Sequence, residues 1–354
     1  MAGAKRMVTE IHNWVDIADE FQDTLVLGNG ASIAIDSGFN YSSLLDKARK
    51  QSLITSTLDG LFDNMKSDDF ELVLHHVSIA ESINRVLGIK DGKTHDAYEN
   101  IRTALIQTVQ EIHPEHGTVK HDLKPAYEFM QRFRTVVSLN YDLLVYWAMM
   151  LGNEETTGQG PDKFKDCFVN GHFSTDCLRN EIEKKQSTLV FYPHGNLALA
   201  ADHESGEFKI ASGNDASLLD AIVNAWEGKA CTPLFVAEGD SEQKLKAIRR
   251  STYLSTVYRN VLPSLEGTIA IYGWSLDDND KHLLEKICKG KGKSKIAVSV
   301  HGNNETNGGS ESWCGSVSRK IHNINSDAEI QFYSAESPDC WIHPSQEPVL
   351  SASR

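Results

Sequence analysis

Short apolar runs alternate with longer stretches of helical periodicity through most of this chain. The runs at residues 24–27, 135–139 and 188–192 are rich in β-branched and aromatic side chains, which predicts buried strands. Three further runs of this kind lie at 233–236, 268–272 and 295–300. Because helix-like sequence separates most of these runs, the pattern indicates an α/β fold, a Rossmann-like parallel sheet flanked by helices.

The alternation is interrupted between residues 42 and 132, where apolar positions recur at helical spacing. Helices are predicted near 42–53, 68–87, 95–112 and 123–132, with a turn from Pro114 to Gly117. We therefore expect a helical insertion at 42–132 within one Rossmann-type domain made of residues 1–41 and 133–335. Residues 336–354, which are proline-rich, are expected to form a poorly ordered tail.

The charge balance limits the partners of this protein. The 354 residues include 49 acidic and 35 basic side chains, a formal net charge of −14. General electrostatic attraction to nucleic acid or to an anionic membrane is not expected at this charge, so an anionic ligand has to be held locally. No apolar run approaches the length of a bilayer span, and the first residues lack a signal-peptide core. These features predict a cytoplasmic protein.

The cysteines give little information about function. The six cysteines include no C-x-x-C pair, which is a poor pattern for a metal site. Cys167 and Cys177, with His172 between them, could ligate a metal, but the spacing is weak evidence. We expect reduced thiols and no metal centre.

Four polar signals each follow an apolar run. They are Gly28-Asn29-Gly30-Ala31-Ser32, Asn140-Tyr141-Asp142, His194-Gly195, and Gly273-Trp274-Ser275 followed by the acidic run from Asp277 to Asp280. The carboxyl ends of parallel strands meet at one edge of a sheet, so residues distant in sequence become neighbours around one ligand. The four signals therefore predict a single site.

Each signal has a structural interpretation beside the functional one. Gly28 and Gly30 allow close approach to a ligand diphosphate, with Ser32 as a donor, but a tight turn between strand and helix explains them equally well. Asp142 is a natural helix cap, whereas Asn140 is less easily explained by capping. His194 is predicted to be exposed at the sheet edge, where an imidazole with an ordinary pKa of about 6.5 could take a proton.

Taken together and in this order, the signals resemble the sirtuin-like family of NAD-consuming proteins, over residues 24 to about 289. The resemblance implies that the diphosphate of NAD is held by Gly28, Gly30, Ala31 and Ser32. It implies that Asn140 and Asp142 line the nicotinamide and ribose pocket, with Asn140 taking part in catalysis and His194 acting as the base. The resemblance also implies that Gly273 and Ser275 contact the adenosine side of NAD.

Two departures refine this resemblance. The two C-x-x-C pairs of the zinc ribbon in deacylase sirtuins have no counterpart here, and Gly38-Phe39-Asn40-Tyr41 replaces the usual Gly-x-Pro-x-Phe-Arg segment. Both differences favour the bacterial, defence-associated sirtuin-like proteins, which hydrolyse NAD beside a partner ATPase, nuclease or Argonaute-like sensor. Membership of that group implies a homo-oligomer in anti-phage defence.

The expected activity is therefore NAD glycohydrolysis, in which NAD is the substrate and nicotinamide and ADP-ribose are the products. A catalytically silent sensor or scaffold that binds NAD or ADP-ribose is the main alternative. A protein deacylase or ADP-ribosyltransferase is a third, and a nuclease has the least support. The helical insertion could serve as a lid over the site or as an interface.

Overall fold

An eight-stranded parallel sheet lies at the centre of the molecule. The computed structural model describes residues 10–40, 43–90, 92–155, 163–184, 186–202, 205–212, 218–228, 231–236, 239–289, 295–302 and 309–345. The strands of the large sheet are β1 (Ile11–His12), β2 (Thr24–Leu27), β3 (Thr135–Ser138), β4 (Phe164–Lys165), β7 (Thr188–Phe191), β11 (Ile269–Tyr272), β12 (Lys295–Val300) and β13 (Glu329–Ser334). Their order across the sheet is β1-β13-β12-β11-β2-β3-β7-β4.

The strand order confirms the prediction of a Rossmann-like α/β fold. After the two-residue edge strand β1, the chain enters the middle of the sheet at β2, builds one half outward through β3 and β7, and then crosses back to build β11, β12 and β13. This is the order of the doubly wound Rossmann sheet, whose ligands bind where the direction of building reverses. Here that switch point lies between the adjacent strands β2 and β11, with Leu27 paired to Tyr272.

Burial on both faces explains why most of these strands are apolar throughout. Every residue of β2, β7 and β11 is buried. Helices cover both faces of a parallel sheet, so its strands read as continuous hydrophobic runs. The outer strand β13 is only partly buried and carries Glu329 and Gln331, and the sequence did not predict it.

The structure also contains a second, antiparallel sheet, and the prediction for the run at 233–236 was wrong in this respect. It has the order β10-β8-β9, formed by β8 (Gly195–Asp202), β9 (Gly206–Lys209) and β10 (Thr232–Phe235). The run at 233–236 had been assigned to the parallel sheet, but β10 instead pairs antiparallel with β8. Pro233 lacks an amide hydrogen, which suits an edge strand of a small sheet. A short hairpin joins β5 (Phe168–Val169) and β6 (His172–Phe173).

Helices make up the rest of the described fold. Before and within the predicted insertion they are α1 (Trp14–Ile17), α2 (Asn29–Ile35), α3 (Leu44–Lys50), α4 (Ser56–Met65), α5 (Phe70–Val86), α6 (Lys93–Ile112) and α7 (His116–Met130). Those that follow are α8 (Leu144–Glu154), α9 (Thr175–Lys184), α10 (Leu218–Gly228), α11 (Ser241–Arg250), α12 (Thr252–Thr256), α13 (Leu262–Ser264), α14 (Lys281–Cys288) and α15 (Gly309–Ile324).

The segment from α3 to α7 is helical, as its periodicity predicts, with two differences in detail. Helix α4 was not predicted, and α7 begins at His116, so that Gly117 lies inside the helix instead of in a turn. Helix α7 packs on the same aromatic core as the rest of the protein, because the Phe129 ring lies 5.3 Å from that of Trp14. Whether the segment is a separate domain stays a prediction.

The last described residues are packed against the core. Cys340 and Trp341 are buried, and Trp341 Nε1 donates a hydrogen bond to the carbonyl of Ala31 at 2.9 Å. This part of the chain therefore differs from the poorly ordered tail that its prolines suggested. Residues 346–354 lie outside the described part of the chain.

Neither a membrane-spanning helix nor a metal-binding cluster of side chains is present among the described residues. None of the described helices is both long enough and apolar enough to cross a bilayer. Within the same ranges, no group of His, Cys, Asp and Glu side chains has the arrangement of a metal site.

Candidate functional site

A cavity of about 440 Å³ opens at the switch point of the sheet. Residues that follow β2, β3, β7 and β11 line it together, as the convergence of strand ends predicts. The expected site residues on its wall are Gly28, Gly30, Asn140, Asp142, His194, Gly273 and Ser275. Ala31 and Ser32 were also expected there, but neither lines the cavity.

The glycines of the first and fourth signals let two loops touch each other. The amide of Gly30 donates to the carbonyl of Gly273 at 2.7 Å, and the amide of Gly28 donates to Tyr272 at 2.9 Å. A Cβ at position 30 would lie 2.7 Å from the Gly273 Cα, and Gly273 itself has a φ of 66°. These glycines are therefore required by backbone packing between the loops after β2 and β11.

This packing occupies the amides that would hold a diphosphate. Besides Gly28 and Gly30, the amide of Ala31 donates to the carbonyl of Gly28 at 2.9 Å. Helix α2 has only seven residues, so its dipole is small. The diphosphate role that the resemblance implies for these residues stays a prediction, and the backbone amides already have acceptors.

Asn140, Ser32 and Asp142 form one buried hydrogen-bonded chain. Asn140 Nδ2 donates to Ser32 Oγ at 2.8 Å and to the carbonyl of Gly28 at 2.9 Å. Ser32 Oγ in turn donates to Asp142 Oδ2 at 2.5 Å. The hydroxyl hydrogen of Ser32 is therefore directed at Asp142, away from any ligand. Ser32 acts on the site by fixing the Asn140 amide.

The other polar atoms of Asn140 and Asp142 have two different roles, one in capping a helix and one in the cavity. Asp142 Oδ1 accepts from the amide of Leu144 at 2.9 Å, so Asp142 caps the start of α8 as its position suggested. Burial raises the pKa of Asp142 above its ordinary value, although the hydrogen bond from Ser32 opposes this. Both Nδ2 hydrogens of Asn140 have acceptors, and its amide oxygen has no donor among the described residues. That oxygen is the atom left to contact a ligand.

The structure corrects the prediction that His194 is exposed. The residue is 3% exposed, and the amide of Val236 donates to its carbonyl at 2.7 Å. Burial lowers the pKa of His194 to about 3, despite the opposing charge of Asp280. The imidazole is therefore neutral at neutral pH. Its Nδ1 lies 3.4 Å from the carbonyl oxygen of Leu139.

A charged pair that the sequence analysis missed lies beside His194. Lys244 on α11 donates from Nζ to Asp280 Oδ1 at 2.8 Å, and both residues line the cavity. Trp274 Nε1 donates to the other carboxylate oxygen at 3.3 Å. Burial alone would raise the pKa of Asp280, but its interactions with His194, with the charged Lys244 and with His282 lower it overall. His194 Nε2 lies 3.8 Å from Asp280 Oδ1.

A second histidine completes this side of the site. His282 Nε2 lies 3.4 Å from His194 Nε2, and its Nδ1 lies 3.1 Å from Ser241 Oγ. Burial lowers the pKa of His282 to about 4. The acidic run that contains Asp280 was visible in the sequence, but nothing linked it to Lys244 or Ser241 on a different helix.

A second cavity, of about 480 Å³, adjoins the first. The two share a rim made of Gly30, Ile33, Gly273, Trp274 and Ser275. The second cavity extends past the carboxyl ends of β11, β12 and β13, where Trp313 and Glu336 form part of its wall. The pair of cavities thus spans both halves of the sheet across its switch point.

Comparison with other proteins gives one family match. The model of a family described as "Domain of unknown function (DUF4917)" matches residues 25–341. No curated protein matches the sequence. One solved structure, described as "Structural Basis for the Mechanism and Regulation of Sir2 Enzymes", is similar with a TM-score of 0.33 and 9% identity over 88% of this chain and 95% of the other. At that level of similarity the comparison carries no functional argument.

Proposed function

The chain belongs to the family described as a domain of unknown function (DUF4917), and from its site we propose that it is an NAD glycohydrolase that releases nicotinamide and ADP-ribose. One observation carries the proposal. The Asn140 amide oxygen and the neutral His194 imidazole meet in a cavity at the switch point of a Rossmann-ordered sheet. Dinucleotides bind at this position in such sheets.

The shape of the site supports a dinucleotide over a mononucleotide. Two cavities of comparable size share a rim that includes Gly273 and Ser275. We assign the nicotinamide riboside half to the first cavity, beside Asn140, and the adenosine half to the second. The Trp313 side chain on the wall of the second cavity supplies an aromatic surface for a base.

The chemistry of NAD hydrolysis suits this small set of groups. Nicotinamide leaves a cationic pyridinium as a neutral molecule when it takes the bonding electron pair, so no acid is needed to protonate it. The site has to stabilise an oxocarbenium-like ribose and position a water. In the proposed mechanism the Asn140 oxygen orients the ribose and the water, while His194 accepts the proton that the attacking water loses.

We further propose that the enzyme is a cytoplasmic homo-oligomer that is restrained until a partner activates it in anti-phage defence. A continuously active NAD hydrolase would empty its own cell of NAD. A partner ATPase, nuclease or Argonaute-like sensor would provide the trigger in this scheme. These parts of the proposal rest on the resemblance of the four signals.

A silent NAD sensor is the second candidate, and one feature of the site favours it. Both ring nitrogens of His194 have neighbours within the protein, Leu139 and His282, at 3.4 Å each. Protonation of a buried imidazole is also unfavourable, since burial lowers the pKa of His194 to about 3. A site that only binds NAD would need neither group to react.

A time course of NAD with the purified protein distinguishes these functions. Asn140→Ala removes the proposed catalytic amide, while Asn325→Ala is a matched control at the end of α15, before β13 begins. Once the restraint is released, we expect wild type and Asn325→Ala to convert NAD to equimolar nicotinamide and ADP-ribose, and Asn140→Ala to leave NAD intact. Equal turnover in Asn140→Ala would refute the assignment. Tight NAD binding without turnover in wild type would point to the sensor or to an enzyme that awaits its partner, and NAD-dependent removal of the acyl group from an acyl-peptide substrate would establish a deacylase.

A further inference from the structure

The described wall of the second cavity carries a carboxylate and no Lys or Arg side chain. The carboxylate is that of Glu336, which follows β13. We propose that Glu336 makes the site specific for NAD over NADP, because it accepts a hydrogen bond from the adenosine ribose and repels a 2′-phosphate. This inference rests on the proposed function and deepens it, since it names which of the two dinucleotides the site takes.

Glu336 lies where two neighbouring strands end. Strands β12 and β13 pair in parallel up to Val300 and Ser334, which are opposite each other. His301 directly follows β12, and its Nδ1 lies 3.2 Å from Glu336 Oε1. The other carboxylate oxygen, Oε2, has no donor among the described residues, and the side chain is half exposed. A ligand in the second cavity can therefore reach this oxygen.

A carboxylate at this place distinguishes the two dinucleotides. It only accepts hydrogen bonds, and the free 2′-hydroxyl of the adenosine ribose in NAD can donate one. In NADP the 2′ oxygen carries a phosphate, which removes that donor and adds a charge of about −1.5 to −2 at neutral pH. Rossmann-type sites use the same contrast, with an acid for the 2′-hydroxyl and an Arg for the 2′-phosphate.

No basic side chain on the described wall offsets the repulsion of a 2′-phosphate. Beyond the shared rim the wall is formed mainly by residues that follow β12 and β13. The sequence contains neither Lys nor Arg at 296–318 or at 321–353. Between these stretches, Lys320 Nζ donates to the carbonyl of Leu276 at 2.9 Å and lies 3.0 Å from Asp278 Oδ1. Neither Arg319 nor Lys320 lines the cavity.

The acid of the usual Rossmann pattern has no counterpart at this site. That acid stands about 20 residues after the glycine turn. Here the corresponding region is α3, and none of its residues lines either cavity. Its acid, Asp46, lies 3.7 Å from Arg49 Nη1. Glu336 takes this role in our proposal from the other half of the sheet.

Calorimetric binding of ADP-ribose and of 2′-phospho-ADP-ribose tests the proposal without turnover. Because His301 and His343 also line the cavity, binding is measured at pH 8, where histidine side chains are generally neutral. Glu336→Gln preserves the size of the side chain and removes its charge, and Glu336→Lys reverses the charge. Glu329→Gln is a matched control at the amino end of β13. The Glu329 side chain is 57% exposed, against 51% for Glu336, and it lines neither cavity.

We expect wild type and Glu329→Gln to bind ADP-ribose at least about 30-fold more tightly than its 2′-phosphate, since charge repulsion and the lost hydrogen bond both act against the phosphate. Glu336→Gln should reduce this ratio about tenfold, and Glu336→Lys should favour the phosphorylated ligand. Equal affinity of wild type for the two ligands, or a ratio that Glu336→Gln leaves unchanged, overturns the proposal.

Turnover separates this inference from the proposed function. Hydrolysis of NAD and NADP at equal efficiency by wild type would leave the proposed glycohydrolase standing and overturn the role of Glu336. If wild type binds neither NAD nor ADP-ribose, the proposed function fails and the inference fails with it. Preferential binding of ADP-ribose that Glu336→Gln weakens supports the inference, whether or not the isolated protein hydrolyses NAD.

Discussion

Three buried histidines make the stability of this protein depend on pH well above the range of its carboxylates. Burial lowers the pKa of His113 to about 4, of His194 to about 3 and of His282 to about 4. In the unfolded chain each imidazole has a pKa of about 6.5. Between these values the unfolded state binds protons that the folded state does not. Stability is therefore fully present above about pH 6.5 and is lost as the pH falls toward 4.

The size of the effect follows from the same shifts. Each neutral buried histidine contributes a slope of about 1.4 kcal/mol per pH unit within this window. At pH 5.5 each costs about 1.4 kcal/mol relative to pH 8, so three together cost about 4 kcal/mol out of a typical 5–15 kcal/mol. The contribution of Asp142 to the pH dependence of stability has the opposite sign. Burial raises the pKa of this carboxyl, so the folded state binds the extra proton first as the pH falls.

Urea denaturation at pH 8, 6.5 and 5.5 measures how the free energy of unfolding changes with pH. Substitution of His113 removes the contribution of one of the three histidines. The His113 ring accepts from the amide of Leu143 at Nε2 and lies against Trp147, away from the cavity wall. His113→Gln retains an acceptor but does not titrate. We expect a lower stability at pH 8 and a pH slope reduced by about a third. A wild-type loss below about 1 kcal/mol, or an unchanged slope in the variant, would refute the reasoning.

Two further predictions concern packing. Gly273→Ala would place a Cβ 2.5 Å from the amide nitrogen of Ala31 at a φ of 66°. We therefore expect a large fall in melting temperature and a loss of NAD binding in calorimetry. The control Gly60→Ala, which has open space around it, should leave stability unchanged or raise it. Trp341→Ala should lower the free energy of unfolding in urea by about 3–5 kcal/mol because the ring is buried. A change below about 1 kcal/mol would mean that the end of the described chain is not part of the core.

The strands that the sequence predicted well are those that tertiary structure buries on both faces. The strands β2, β3, β7, β11 and β12 are almost entirely buried and rich in apolar and β-branched residues, which signals a parallel sheet directly. Strand β13 has mixed burial, and β1 has two residues, so neither has a pattern of its own. They are defined by pairing with their neighbours, which a local pattern does not contain.

Some features of the site could likewise be predicted from the sequence, and others could not. The strand ends converge in any parallel sheet, so the meeting of Asn140, His194 and Gly273 could be predicted from where the runs stop. The burial of His194 could not, because the side chains beside its imidazole, His282 and Asp280, come from a much later part of the chain. Lys244 and His282 lie on helices α11 and α14, whose contact has no signature in either helix.

The loop contact between Gly30 and Gly273 limits how a diphosphate could bind at this site. A phosphate that took the Gly30 amide would have to break its 2.7 Å bond to the Gly273 carbonyl and leave that carbonyl unpaired. The loss of one partner from a buried hydrogen bond costs about 1–3 kcal/mol. Ser275, which is exposed on the rim shared by both cavities, can donate without such a loss. In this protein the glycines therefore shape the rim, and side-chain donors such as Ser275 are better placed than the helix amides to hold the phosphates.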